Sequence, residues 1–494
     1  MKRCFLPLLV LSSLLLPMHQ GWAGTRPRYG GTARTLVQHK VTSLDPLADT
    51  DYAEDRNRLA SLLFETLTEI DAQGRLRPRL AVSWQPEPGS RVWRFQIRPA
   101  SLNDGSVLTA SVVGASLKAA SPEWRIVVNG KQAISIETPS PVPHLPELLS
   151  LPRFAIVKRL ADGTMIGTGP FKLSEWQPGE RALFAANEEY WGGRPYLDAM
   201  EVRMGLSLRE HLIEHQLGAD HAAEPTIDQL HTLEQAGQSV ALSRPSDLLV
   251  VIFPPPPPNG WGEPAVGSGA VSTQRIGRDA KGIHPKLREA VASAINRFAI
   301  SNVLLQKRSR PAGALLPQWL TGYEFAFPLD PNPDQARRLR TEAGAPATIR
   351  LAYDYSDTVA KMVAERIAVD AREAGINLQP FGDPHVTSKS GRKSLNADAV
   401  LLRIPLQSIE PYSALAGLAL ANDLELSSET TASILDAVRP EDLFEAERKA
   451  IADYRLIPVA HVSEALWLNT TIHNWQQLPN GGWKLDQLWV EAGR

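Results

Sequence analysis

Residues 348–378 read TIRLAYDYSDTVAKMVAERIAVDAREAGINL, and this stretch decides the fold class. Ile349, Leu351 and Tyr353 fall on every second position, the period of a strand. Val359, Met362, Val363, Ile367, Ala371 and Ala374 then recur at helical spacing, Gly375 closes the helix, and Ile376-Asn377-Leu378 begins another strand. A strand, a crossover helix and a second strand make a βαβ unit, which predicts a parallel pair inside an α/β lobe. Just upstream, Leu287, Val291, Ala294, Ile295 and Phe298 mark a second amphipathic helix.

Moving toward the N-terminus, the run Phe253-Pro254-Pro255-Pro256-Pro257-Pro258-Asn259-Gly260 and the Gly- and Ser-rich residues up to about 282 read as a domain boundary. Before it the chain is richer in strands. Arg34 to Gln38 reads as a strand ended by the turn Ser43-Leu44-Asp45-Pro46. Leu59, Leu62, Leu63, Leu67 and Ile70 predict a helix over 55–70. In 91–98, Trp93, Phe95 and Ile97 alternate with Arg94, Gln96 and Arg98, a strand with one wet face.

With 494 residues, 43% hydrophobic and 21% charged, the chain has material for two to four packed domains and does not read as disordered. Its 52 basic and 54 acidic residues give a formal charge of -2, so no basic footprint for nucleic acid is expected. Lys2 and Arg3 precede a short apolar run ending in Gly21-Trp22-Ala23, which reads as a secretion signal over 1–23 and a periplasmic destination. Cys4, the single cysteine, stands at the start of that run, where it would not serve a lipid anchor. The mature chain is then cysteine-free, which excludes disulfides and thiol catalysis.

No Walker loop, G-x-S-x-G elbow, H-E-x-x-H pair or dinucleotide fingerprint occurs, so no catalytic residue, cofactor or enzymatic activity is expected. His211 and His215 stand four apart on an expected helix over 210–217, and with His221 they form the one metal-like set. The same spacing arises on a solvated helix face, so a metal or metal-chelate binder is kept as an alternative and no metal is assigned. Two clusters mix charge with aromatics, Asp51 and Tyr52 in 49–52, and Arg403, Gln407, Glu410 and Tyr412 in 403–412. Brought face to face, they would orient a zwitterionic ligand.

Several motifs, in order and spacing, carry a resemblance. They are Gly30-Gly31-Thr32, Phe64-Glu65-Thr66-Leu67, Leu80-Ala81-Val82-Ser83-Trp84, the NDGSVLTA of 103–110, the GTGPFKL of 167–173, the NEEYWGGRPYL of 187–197 and the helix from Leu287 to Arg297. The chain resembles the extracellular solute-binding proteins of family 5, the peptide- and nickel-binding subunits of ABC importers, over nearly its whole mature length.

The resemblance implies an α/β fold of the type II periplasmic-binding kind, with two lobes joined by a hinge and a β-rich subdomain in the first lobe. The expected division is 24–48, 164–253 and 453–494 for lobe I, 49–163 for the subdomain, and 254–452 for lobe II. It further implies a monomer that captures a peptide-like or other small polar ligand and hands it to an inner-membrane ABC permease. A transport-deficient sensor or chaperone on the same frame is a second alternative. Glycines in GTGPFKL are expected to permit backbone conformations closed to other residues.

Peptide binders of this family carry Gly-Trp-x-x-Asp-x-x-Asp/Glu-Pro in the second lobe, the first Asp holding the ligand's amino group. Here Arg403, Ile404 and Gln407 replace the Gly, Trp and first Asp, while Glu410 keeps the later acid. Gln407 cannot supply a charge-assisted bond, and Arg403 adds a cation suited to a carboxylate or phosphate. The subdomain also reads as shortened, with room for one helix and two strands between Ala110 and Pro139.

Overall fold

The computed structural model describes residues 26–491 apart from 207–209, 211–220, 226, 236, 239, 256–277, 280–281, 324, 345–347 and 422–423. The expected secretion signal, His211, His215 and most of the Pro- and Gly-rich run lie outside the described residues.

The βαβ unit forms as its periodicity requires. Strand Thr348–Asp354 and strand Asn377–Asp383 pair in parallel, Ile349 opposite Leu378. Helix Thr358–Glu373 connects them, with the Asp357 carboxylate accepting from the backbone N–H of Val359 and Ala360 at 2.8 and 3.0 Å. The chain leaves the helix through Gly375 at φ 75°, where a side chain would be strained. Around this unit stands a six-stranded sheet in the order Ser309–Pro311, Leu456–Val462, Asp247–Ile252, Ala399–Ile404, Thr348–Asp354, Asn377–Asp383.

Strand Asp247–Ile252 is buried at every position because both its faces are covered. Leu249 and Val251 pack with helix residues Val291, Val363 and Ile367. Leu248, Val250 and Ile252 face a second core shared with Leu415 and Leu418 of helix Pro411–Leu420 and with Leu148 and Leu151 from the N-terminal half.

A seven-stranded sheet forms the other lobe, ordered Phe171–Gln177, Arg181–Ala186, Ala199–Met204, Thr32–Val37, Ala222–Ala223, Ala465–Leu468, Val240–Leu242. A smaller sheet, ordered Ala81–Pro86, Val92–Ile97, Ala133–Glu137, Arg125–Val128, makes the β-rich subdomain. Between Ala110 and Pro139 it holds helix Ala110–Ala120 and two strands, as the shortened reading expected.

Two expectations need correction. Helix Ala53–Ala60 stops ten residues before the expected end at 70, and Thr68–Ile70 is a strand paired with Leu76–Pro78. The leucines beyond Ala60 are buried as helical spacing suggests, but the carbonyls of Leu62 and Leu63 accept from the N–H groups of Phe171 and Gly169 at 3.1 and 2.9 Å. Tertiary backbone pairing thus replaces the helical ladder. The lobe boundaries move as well: Asp247–Ile252 and Leu456–Val462, expected in lobe I, lie at the centre of the lobe II sheet. A strand covered on both faces needs ladder partners on both edges, and these two are each other's.

Candidate functional site

Two antiparallel strands pass from one lobe to the other side by side. Val240–Leu242 pairs with Ala465–Leu468 in the first sheet, and Asp247–Ile252 pairs with Leu456–Val462 in the second. In the step between them, Ser243 N–H donates to the Glu464 carbonyl at 2.9 Å, and Glu464 N–H donates to Ser243 Oγ at 2.9 Å. A pair of short crossing segments that changes sheet is the geometry of a hinge.

Beside this crossing lies a cavity of about 220 Å³ walled by both lobes. Its first-lobe wall carries His39, Tyr52, Glu54, Asp55, Arg58 and Glu224; its second-lobe wall carries Asp354, Ser356, Asp357, Arg403 and Gln407; Glu464 belongs to the crossing. Tyr52 holds the left-handed conformation (φ 56°, ψ 51°) at the start of helix Ala53–Ala60, strained for a residue with a side chain. Its ring stacks on His39 at 3.9 Å between centroids. His39 Nδ1 lies 2.8 Å from Asp55 Oδ2, and that bond, with the Asp55 charge, raises the imidazole pKa against the opposing effect of burial.

Arg58, 3% exposed, is the hub of the first-lobe wall. It contacts Glu54, donates to Asp55 Oδ1 at 2.8 Å and Glu224 Oε2 at 2.6 Å, and reaches Glu464 Oε1 at 3.1 Å. Burial pushes Glu224 up to about 7, Arg58 opposing the rise and the neighbouring Glu464 and Asp55 adding to it. Burial likewise lifts Glu464 to about 7, with Glu54 adding to the rise.

The expected site residues divide. Tyr52, Arg403 and Gln407 meet at the cavity, although they come from opposite lobes. Arg403 donates through Nε and Nη2 to one oxygen of buried Asp247 at 2.9 and 2.5 Å, so its charge already has a partner within the protein. Asp51 spans the lobes: its Oδ1 accepts from Thr387 Oγ1 and Ser388 N–H, both at 2.8 Å. Asp49 does the same for the N–H groups of Lys389 and Ser390, each at 3.0 Å. Glu410 caps helix Pro411–Leu420, accepting from Tyr412 and Ser413 N–H at 3.0 and 2.7 Å. Tyr412 is core, its hydroxyl donating to the Leu435 carbonyl at 2.9 Å.

His221 precedes the interior strand Ala222–Ala223 of the seven-stranded sheet, its Nδ1 accepting from Arg34 N–H at 3.0 Å. Among the described residues no three His, Cys, Asp or Glu side chains are grouped to hold a metal ion. His39, Asp55, Arg58 and Glu464 were missed by sequence reading. Arg58 and Asp55 inside an otherwise buried helix turn were the one available signal, since a charge is rarely buried unless paired.

The family motifs have another task. The Glu65 carboxylate accepts from Thr168 Oγ1 at 2.7 Å, Tyr190 OH at 2.9 Å, Trp191 Nε1 at 2.7 Å and Arg79 Nε at 2.9 Å. FETL, GTGPFKL and NEEYWGG therefore converge on one buried anion that ties lobe I together. Gly167 and Gly169 have no positive φ; instead a Cβ there would stand 2.3 Å from the Leu63 carbonyl oxygen and 2.4 Å from that of Leu62. Close backbone approach, not a special conformation, requires them.

Two α/β lobes joined by paired crossing strands, with a walled cavity beside the hinge, make up the fold of the type II periplasmic-binding kind. The chain belongs to the bacterial extracellular solute-binding proteins, family 5, whose middle-region model matches residues 75–423. Among curated relatives, Bacillus subtilis YhjP is 29% identical over 180 residues, 34% of this chain and 31% of YhjP. Di/tripeptide-binding protein 2 of Pseudomonas aeruginosa is 25% identical over 245 residues, 47% of this chain and 41% of the relative. These matches thus span well under two thirds of either relative. The structure of NikA from Staphylococcus aureus in complex with Ni(L-His)2 superposes with a TM-score of 0.75 at 16% identity, covering 93% of this chain and all of NikA. That likeness shows the fold.

Proposed function

We propose that the chain is the periplasmic solute-capturing subunit of an ABC importer, closing its lobes on a peptide-like or other small polar ligand and presenting the closed form to the membrane permease. The observation that carries the reading is the cavity at the hinge, lined from both lobes. A ligand there touches both walls only when the lobes are shut, so its binding energy goes into stabilising the closed state. The solute leaves unaltered, and the subunit acts as a monomer.

Thermal-shift titration against di- and tripeptides, amines, sugars and nickel with histidine tests this, because a ligand at a hundred times Kd stabilises the folded state by about 2.7 kcal/mol. Small-angle scattering with the best ligand should report a smaller radius of gyration. A protein that no class stabilises, or whose dimensions stay constant on binding, would refute the proposal.

A further inference from the structure

The charge balance of the cavity reaches further than its shape. Six carboxylates line it among the described residues: Glu54, Asp55, Glu224, Asp354, Asp357 and Glu464. Three arginines line it too, but two have partners outside the lining. Arg403 is paired with Asp247, and Arg308 with Glu234 at 2.8 and 2.9 Å. The six carboxylates then face Arg58, the His39 imidazole and the Asp247-paired Arg403, whose charge acts on Glu54, Glu224, Asp357 and Glu464, so three cationic groups stand against six acids in the lining and Asp247 behind it. Serine and backbone N–H groups at Asp354 and Asp357 solvate those two without cancelling their charge. The anions stand on both walls, Glu54, Asp55 and Glu224 on one lobe, Asp354 and Asp357 on the other, with Glu464 at the crossing. His39 adds a buried Nε2 that has no hydrogen-bond partner.

We infer that the solute is an organic cation, an ammonium- or guanidinium-bearing molecule of net positive charge, held between the carboxylates of the two lobes. This rests on the solute-capture reading above and narrows it. Shutting two like-charged walls over a small cavity is opposed by their repulsion and by loss of water around each carboxylate. A cation between them turns that repulsion into attraction and supplies charge-assisted bonds to both walls. A neutral or anionic solute leaves the repulsion in place.

The raised Glu224 and Glu464 agree, since protons there take the place a cation would fill. The groups facing them are Glu54, Asp55, Arg58, Arg403 and each other. A bound cation lowers both, so capture releases protons.

The test uses the full mature chain and titration calorimetry with alanyl-lysyl-alanine, trialanine and alanyl-glutamyl-alanine. The lysyl peptide should bind at least about tenfold tighter than trialanine, and the glutamyl peptide more weakly than both. Below pH 7, Kd for the lysyl peptide should rise about tenfold for each unit by which the pH is lowered, per carboxyl that releases its proton. Heats measured in buffers of different ionisation enthalpy count those protons on the wild type, with no variant needed. Glu224→Gln should reduce both the lysyl preference, read as the ratio of the two Kd values, and the proton release. Equal or tighter binding of trialanine or the glutamyl peptide, or no proton release, overturns the charge inference and leaves solute capture standing. If none of the three binds and none shifts the melting temperature, the inference falls, while the wider ligand screen decides the capture reading separately.

Discussion

Glu447 offers the cleanest test of how burial governs this protein. It sits on helix Pro440–Ile451, 2% exposed, with Oε1 accepting the Leu316 N–H at 2.7 Å. Burial pushes it up to about 7 from an ordinary 4.5, against the pull of the Leu316 and Leu315 N–H groups. Below pH 4.5 the carboxyl is neutral in folded and unfolded chains alike, and its contribution to stability is fully present. As pH rises toward 7 the unfolded chain gives up a proton that the folded chain keeps, so stability falls until the folded form also ionises. With each pKa unit equivalent to 1.36 kcal/mol, the loss by pH 8.5 is about 3 kcal/mol.

Glu447→Gln keeps an acceptor for Leu316 and cannot ionise. Urea denaturation followed by tryptophan fluorescence, variant against wild type at each pH, isolates this group because all others titrate in both proteins. Near pH 4.5 the two midpoints should nearly coincide, and at pH 8.5 the variant should be more stable by about 3 kcal/mol. A difference that does not change with pH would refute the burial argument.

Gly169→Ala drives a Cβ against the Leu62 and Leu63 backbone and should cost about 1–3 kcal/mol, or the soluble yield, by the same denaturation assay. Glu65→Ala leaves Thr168, Tyr190, Trp191 and Arg79 without their shared acceptor and should lower stability by at least about 3 kcal/mol, while ligand affinity in the surviving folded fraction stays constant. The double variant Asp49→Asn, Asp51→Asn weakens the bonds from lobe I to residues 387–390, so scattering of the ligand-free protein should show a larger mean radius of gyration, and Kd for the best ligand should rise. An unchanged scattering curve would mean that these bonds do not hold the lobes together.

Local pattern carried far in this chain. The period-two and helical repeats of 348–378, and the room left between Ala110 and Pro139, were legible because each depends on neighbours in sequence. Helix Ala53–Ala60 was legible only at its start. Whether Leu62 and Leu63 continue a helix depends on a segment more than a hundred residues away that takes up their carbonyls.

The motifs, too, could be recognised in sequence without revealing what they do. Nothing local says that Thr168, Tyr190 and Trp191 share one carboxylate, because three separate segments have to meet before that anion has partners. Composition, the βαβ unit and the family resemblance were thus determined by the sequence itself. The tertiary structure alone decided that Asp247–Ile252 crosses into lobe II, that Arg403 is spent on Asp247, and that carboxylates from both lobes face one cavity. Charge acts through space, so a site assembled from residues 39 to 464 has its electrostatics only once the chain has folded.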